Sequence, residues 1–103
     1  MKRGEIWLAD FPPPIKRRPI VLISRNQAYS ILESFVAAIV TSTIRKIPCE
    51  VILGKENGLD RPCVANCDNI YTIPKSRLIK RLGQLTSEQE RQLNEAISFS
   101  LEL

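Results

Sequence analysis

Two stretches of this sequence carry side chains suited to chemistry on a charged substrate. One is Arg18, which stands immediately before the β-branched run Pro19-Ile20-Val21-Leu22-Ile23-Ser24; the other is Thr41-Ser42, the polar end of the apolar run Phe35 to Ser42. Each has an ordinary use on its own, because a turn arginine is usually solvated and a hydroxyl pair usually satisfies backbone groups where a strand stops. Together they describe something more specific. A planar guanidinium fork beside hydroxyl donors suits the oxygens of a phosphodiester and can stabilise charge that develops on phosphorus. The chain has no histidine, so no imidazole can serve as general acid, general base or metal ligand. Any catalysis must therefore rest on electrostatics and positioning.

The elements that would hold these residues follow from period and punctuation. Glu5 to Phe11 is short, aromatic and bounded by Gly4 and Pro12, which predicts a first strand. Pro12-Pro13-Pro14 ends it, since residues without backbone donors cannot stay in a ladder. Pro19 to Ser24 and Phe35 to Ser42 are apolar enough to be buried strands, and Lys16-Arg17-Arg18 is expected on the turn before the first of them. One short helical turn is expected around Asn26 to Tyr29. Cys49 to Leu53 predicts a fourth strand ahead of the turn-forming Asn57-Gly58; Cys63 to Ile73 holds one or two more, and Leu78 to Leu82 a short last one. The period then changes. Thr86 with Gln89 and Glu90 signals a helix N-terminus, and Leu93, Ala96, Ile97, Ser100 and Leu101 fall on one helical face. The fold class is mainly β: a small antiparallel barrel with an amphipathic C-terminal α-helix, in one domain over residues 1–103.

Charge and cysteine usage limit the partners. Net charge is +4, and residues 1–48 carry 8 of the 15 basic but only 3 of the 11 acidic side chains. This positive excess permits a polyanionic partner. Three cysteines cannot all pair within one chain, and Met1-Lys2-Arg3-Gly4-Glu5 lacks a signal-peptide core, so a reducing cytoplasm is expected. No apolar run approaches the roughly 18 residues needed to span a bilayer, and no membrane partner is expected. With no histidine, Cys49, Cys63 and Cys67 read as small buried apolar residues, and no metal or other cofactor is expected.

Four segments in order, Lys2-Arg3-Gly4-Glu5-Ile6-Trp7, Arg18-Pro19 leading into Ile20 to Ser24, Val36 to Ser42, and Cys67-Asp68-Asn69-Ile70 followed by Lys75-Ser76-Arg77-Leu78, resemble the MazF/PemK family. The resemblance covers nearly the whole chain. It implies a toxin of a type II toxin–antitoxin system: a homodimeric, SH3-like barrel, inhibited by an acidic antitoxin, that cuts single-stranded RNA, typically mRNA, at short sequences. It implies metal-independent chemistry in which the ribose 2′-oxygen attacks phosphorus and leaves a 2′,3′-cyclic phosphate and a 5′-hydroxyl. By the same resemblance Arg18 stabilises the transition state, Thr41 helps to hold the scissile phosphate, and Asp68 matches an acidic position that some members use.

The chain also departs from the family pattern. The segment before Arg18 is short and lacks the carboxylate that serves some members as a base, Asn66 stands where others have arginine, and so does Tyr71. Arginine stays protonated in proteins, so the acceptor of the 2′-hydroxyl proton is open, with Asp68 one candidate. Lys16, Arg17 and Ser42, together with Arg45 and Lys46, are candidates for binding substrate phosphates, and Tyr71 for stacking on a base. Trp7 is expected in the core. The alternatives are a non-enzymatic toxin that binds a protein such as DNA gyrase, against which the absence of tryptophan near Phe99 to Leu103 counts, and a catalytically reduced RNA-binding barrel.

Overall fold

The computed structural model describes residues 1–103. Six strands, β1 Glu5–Asp10, β2 Arg17–Leu22, β3 Ser34–Thr41, β4 Glu50–Leu53, β5 Cys63–Pro74 and β6 Leu78–Gln84, form one antiparallel sheet in the order β4-β5-β3-β2-β1-β6. A single helical turn, α1 (Ala28–Ile31), links β2 to β3, and α2 (Ser87–Leu101) follows β6 and packs on β4 and β5. Fold and sequence agree here: a mainly β, curled half-barrel sheet with a C-terminal helix.

Both faces of the sheet are covered, which is why its central strands are apolar without alternation. Ile6, Val21, Val40, Val51, Leu53 and Ala65 pack under Leu93 and Ala96 of α2. On the opposite face Ala9, Ile20, Leu22, Phe35, Ala37 and Ile39 pack with Tyr29 of α1 and Ile73. Successive residues Ile20 and Val21 thus enter different cores. Cys49, Cys63 and Cys67 are free and buried, as their composition suggested. Trp7 is only partly buried, against the second core, and its indole Nε1 donates at 3.0 Å to Glu5 Oε1. Leu101, expected on the buried face of α2, is 50% exposed.

The half-barrel is drawn together where a 3₁₀ turn, Lys55–Asn57, meets β6. A Cβ on Gly58, whose φ is +82°, would stand 1.9 Å from the Leu82 carbonyl oxygen, and one on Gly83 would stand 2.0 Å from that of Asn57. Only glycine allows this approach. Asn57 is fully buried, and its amide donates to the Gln84 carbonyl at 3.0 Å and to Gln89 Oε1 at 2.6 Å. Gln89 Nε2 donates in turn to the Ile52 carbonyl at 3.1 Å. Gln89 also completes the cap of α2, exchanging hydrogen bonds with Thr86 at 3.0 and 3.2 Å. The network satisfies polar groups that burial would otherwise penalise.

The β1–β2 connection differs from expectation in a way that matters for the site. Of Lys16-Arg17-Arg18 only Lys16 lies in the turn, at φ +62°, and Phe11 N donates to its carbonyl at 2.9 Å. Arg17 and Arg18 already belong to β2, paired with Asp10 and Ala9. Pro19 therefore lies inside the strand rather than at its start. Toward β3 the ladder stops at Ile20↔Ile39, and the proline beyond it has no N–H with which to continue.

Candidate active site

Where the β2–β3 ladder stops, the two strands part and leave a cleft of about 360 Å³. Arg17, Arg18 and Pro19 form one wall, Val40, Thr41 and Ser42 the other, and Leu59, Asp60, Arg61 and Cys63 close it from the β4–β5 connection. Extending the register Ile20↔Ile39 by two residues sets Arg18 opposite Thr41. The pair that the sequence placed in separate elements is thus brought together. Thr41 Oγ1 accepts the Thr43 N–H at 3.2 Å, which leaves its own O–H free to donate into the cleft.

Arg18 and Thr41 also line a second hollow, of about 240 Å³, with Thr43, Arg45, Asn66, Asn69 and Tyr71. The two hollows share Arg18 and Thr41 but border different cores: the first is floored by Val40, Leu59 and Cys63 of the core under α2, and the second by Ile39 and Ile15 of the other. Arg45 is positioned by Glu50, whose Oε1 accepts the backbone N–H groups of Arg45 and Lys46 at 3.0 and 2.9 Å and so orders the loop after β3. Tyr71 is 37% exposed, and its ring meets Phe11 edge-on at 5.7 Å, which leaves a face for stacking. Asn66 Oδ1 accepts from Asp68 N at 2.9 Å and from Cys49 Sγ at 3.6 Å, while its Nδ2 has no partner within the chain. Its carbonyl is occupied, so the amide can act on a ligand only as a donor.

Two expected site residues lie elsewhere. Asp68 lines neither hollow. Between Ala38↔Ile70 and Ile39↔Asn66 the β5 strand carries the extra residues Cys67, Asp68 and Asn69. This bulge turns Asp68 toward α2, where Ser100 Oγ donates to its carboxylate. That bond is the main cause that holds its carboxyl below the ordinary range. Lys16 borders a shallower hollow with Asp10 and Arg17 rather than the Arg18–Thr41 cleft. Arg17 lines both; Ser42 lies in the Arg18–Thr41 cleft and Tyr71 in the second hollow.

Sequence reading missed Asp60, Arg61, Thr43 and Asn69. Asp60-Arg61-Pro62 follows Asn57-Gly58 and reads only as a loop; nothing local reveals that the closure at Gly83 folds it over the end of β3. The charge of Asp60 is felt at the Cys63 thiol on the cleft floor. That thiol is pushed up by burial first and by Asp60 second, against the opposing effect of Arg61. Nowhere in the fold do three acidic, thiol or imidazole side chains converge as a metal site requires.

A curled antiparallel half-barrel with a helix on one face, and a basic, hydroxyl-lined opening where two strands part, defines a small β protein. The sequence profile of the PemK-like, MazF-like toxins of type II toxin–antitoxin systems matches residues 2–101. The chain belongs to this family. It is 36% identical over 88 residues to endoribonuclease MazF3 of Mycobacterium tuberculosis, covering 85% of each protein. Its fold superposes on toxin MazF-mt6 of Mycobacterium tuberculosis with a TM-score of 0.89 and 34% identity, covering 96% of this chain and 97% of that one. A mycobacterial endoribonuclease solved in complex with its cognate antitoxin is likewise similar, with a TM-score of 0.87 and 29% identity over 100% of this chain and 96% of that one.

Proposed function

We propose that this protein is a metal-independent, sequence-selective endoribonuclease that cuts single-stranded RNA in the Arg18–Thr41 cleft. The observation that carries the reading is the placement of Arg18 opposite Thr41 between two basic hollows, one lined by Arg17 and Arg61 and the other by Arg45. The ribose 2′-oxygen attacks the adjacent phosphorus, and the P–O5′ bond breaks. The products are a 2′,3′-cyclic phosphate and a 5′-hydroxyl. Arg18 faces the non-bridging oxygens, where negative charge grows most in the transition state, and Thr41 donates its hydroxyl to the same phosphate. Fixed positive charge on the chain does the work for which other nucleases use a cation. Tyr71 offers a stacking face, and the amides of Asn66 and Asn69 offer hydrogen bonds to a base beside the scissile step.

The same groove suits an acidic antitoxin segment, because a basic surface that tracks phosphates also attracts carboxylates. The endoribonuclease solved with its cognate antitoxin supports this partner, and the family resemblance supports action as a homodimer in the cytoplasm. No helix is long and apolar enough to cross a membrane. The decisive experiment incubates purified protein with varied single-stranded RNAs in EDTA and maps the new ends. Cyclic phosphate and 5′-hydroxyl ends, lost in Arg18→Ala and Thr41→Ala, are expected. Intact RNA with folded protein would overturn the reading in favour of a binding-only barrel.

A further inference from the structure

The strand register sets one further side chain beside the reacting pair. Ile20↔Ile39 and Ile39↔Asn66 are direct partners across β2, β3 and β5, and directly paired residues point to the same face of a sheet. Ile20 and Ile39 belong to the second core. Arg18 and Thr41, each two residues further along its strand, point to that face as well. Because Thr41 is paired with Val64, Asn66 is its diagonal neighbour, with Cβ atoms roughly 7 Å apart. Tyr71, paired with Ala37, follows on the same face one step farther from the reacting pair. A phosphate held by Arg18 and Thr41 would have the base of an adjoining nucleotide within reach of Asn66 and Tyr71. We propose that Asn66 determines specificity at that base, favouring those with a keto group, uracil and guanine, over those with an amino group in its place, cytosine and adenine. The assignment rests on the endoribonuclease reading above.

The bulge in β5 fixes which end of the Asn66 amide meets the substrate. Asp68 N, two residues on, donates to Asn66 Oδ1 at 2.9 Å. A backbone N–H can only donate, so the oxygen is the end turned into the bulge. Nδ2 has no acceptor within the chain. Glu50, opposite Asn66 on β4, gives Oε1 to the Arg45 and Lys46 N–H groups, and its buried Oε2 bonds nothing. Asn66 thus presents N–H donors and no free acceptor, in a hollow whose other side chains include two guanidiniums, Arg18 and Arg45, and no carboxylate.

The bases differ at the position such a donor reads. Uracil O4 and guanine O6 accept hydrogen bonds, whereas the amino groups at cytosine N4 and adenine N6 donate them. A keto oxygen completes the Asn66 amide. An amino group sets donor against donor and leaves both without a partner, which costs more than a hydrogen bond gains. Tyr71 stacks on any base and so supplies affinity without choice.

The test measures kcat/KM in EDTA on RNAs that differ only in one base beside a mapped scissile phosphate, uracil against cytosine and guanine against adenine, at each flanking position in turn. Wild type, Asn66→Ala, Asn66→Asp and Arg18→Ala are compared. The wild-type protein is expected to favour the keto base about 10-fold or more at one of the two positions. Asn66→Ala should bring that ratio close to one. Asn66→Asp keeps an oxygen for the Asp68 N–H and puts an acceptor where Nδ2 was, so it should reverse the preference toward cytosine and adenine. Each ratio is taken within one variant, so a loss that falls on every substrate alike, from added charge or a looser bulge, cancels. A wild-type protein without a keto preference at either position, or a keto preference that survives in Asn66→Ala or Asn66→Asp, overturns the assignment, while inactivity of Arg18→Ala keeps the endoribonuclease reading. Failure of the wild-type protein to cleave any RNA overturns both.

Discussion

Arg18 and Thr41 stand opposite each other two residues beyond Ile20↔Ile39, the last pair of the β2–β3 ladder. The ladder has no N–H to use at Pro19, so the strands diverge and the space between them becomes the cleft. One proline thus does two things. It ends a hydrogen-bonded pairing, and it leaves a guanidinium and a hydroxyl on facing strands with no ladder between them.

This relationship predicts that Arg18→Ala and Thr41→Ala each lower RNA cleavage by about 10²–10³-fold, the effect of removing one donor from a developing oxyanion. Arg18→Lys should recover little, because an ammonium lacks the planar fork. The double variant should cost less than the sum of the single ones, since both groups act on one phosphate. Arg18 is exposed and Thr41 half-buried, so melting temperatures should barely move. Parallel rate and melting measurements on the four proteins check this. A fall in both together would assign Arg18 or Thr41 to the fold.

Asp68 gives a second, contrary prediction. Its carboxylate bonds Ser100 of α2 and its backbone N–H bonds Asn66, so Asp68→Asn should retain cleavage within a few-fold of wild type. A loss comparable to that of Arg18→Ala, with the melting temperature unchanged, would return Asp68 to the chemistry.

The contrast between Arg18 and Asp68 marks what the sequence reveals. Strands, cores and the capped helix were legible because burial and period are local signals: Ile20 to Leu22 and Phe35 to Val40 read as buried, and Thr86 with Gln89 as a cap. Register is not local. That Arg17 and Arg18 pair within β2, that a bulge at Cys67 to Asn69 turns Asp68 away, and that Asp60 reaches the cleft all depend on contacts between distant segments. The closure at Gly58 and Gly83 is the plainest case, since a glycine in a loop reads the same whether or not another backbone lies against it.

Burial of the thiols predicts the alkaline behaviour. Cys67 is pushed up from the ordinary 9.0 to about 11, chiefly by burial and next by the neighbouring Cys49, and Tyr29 from 10.0 to about 12, also by burial. Both groups are neutral when protonated, so the unfolded chain releases these protons first. The stability they contribute is complete below 9.0 and is lost as pH rises toward 11 for Cys67, and from 10.0 toward 12 for Tyr29. Denaturant titrations should therefore show stability falling by about 2 kcal/mol or more over the Cys67 window. Cys67→Ala should be less stable throughout but should fall less steeply. An equal slope in both proteins would refute the assignment to Cys67.

Salt dependence tests whether the groove is one continuous track. Single-stranded RNA that neutralises positive groups releases counterions, so log K falls with log[salt] by roughly 0.7 for each phosphate contacted. Arg45 lines the hollow beside Ile39 and Arg61 the cleft beside Val40, so a strand that contacts both has to cross the reacting pair from one face of the sheet to the other. Each of Arg45→Ala and Arg61→Ala should then reduce the slope by about 0.7, and the double variant by the sum. Fluorescence anisotropy with an RNA carrying a 2′-deoxy scissile nucleotide, which cannot react, measures binding alone. If only one of the two substitutions changes the slope, the strand occupies one hollow. The cleaved bond would then have to lie at the end of the bound segment instead of within it.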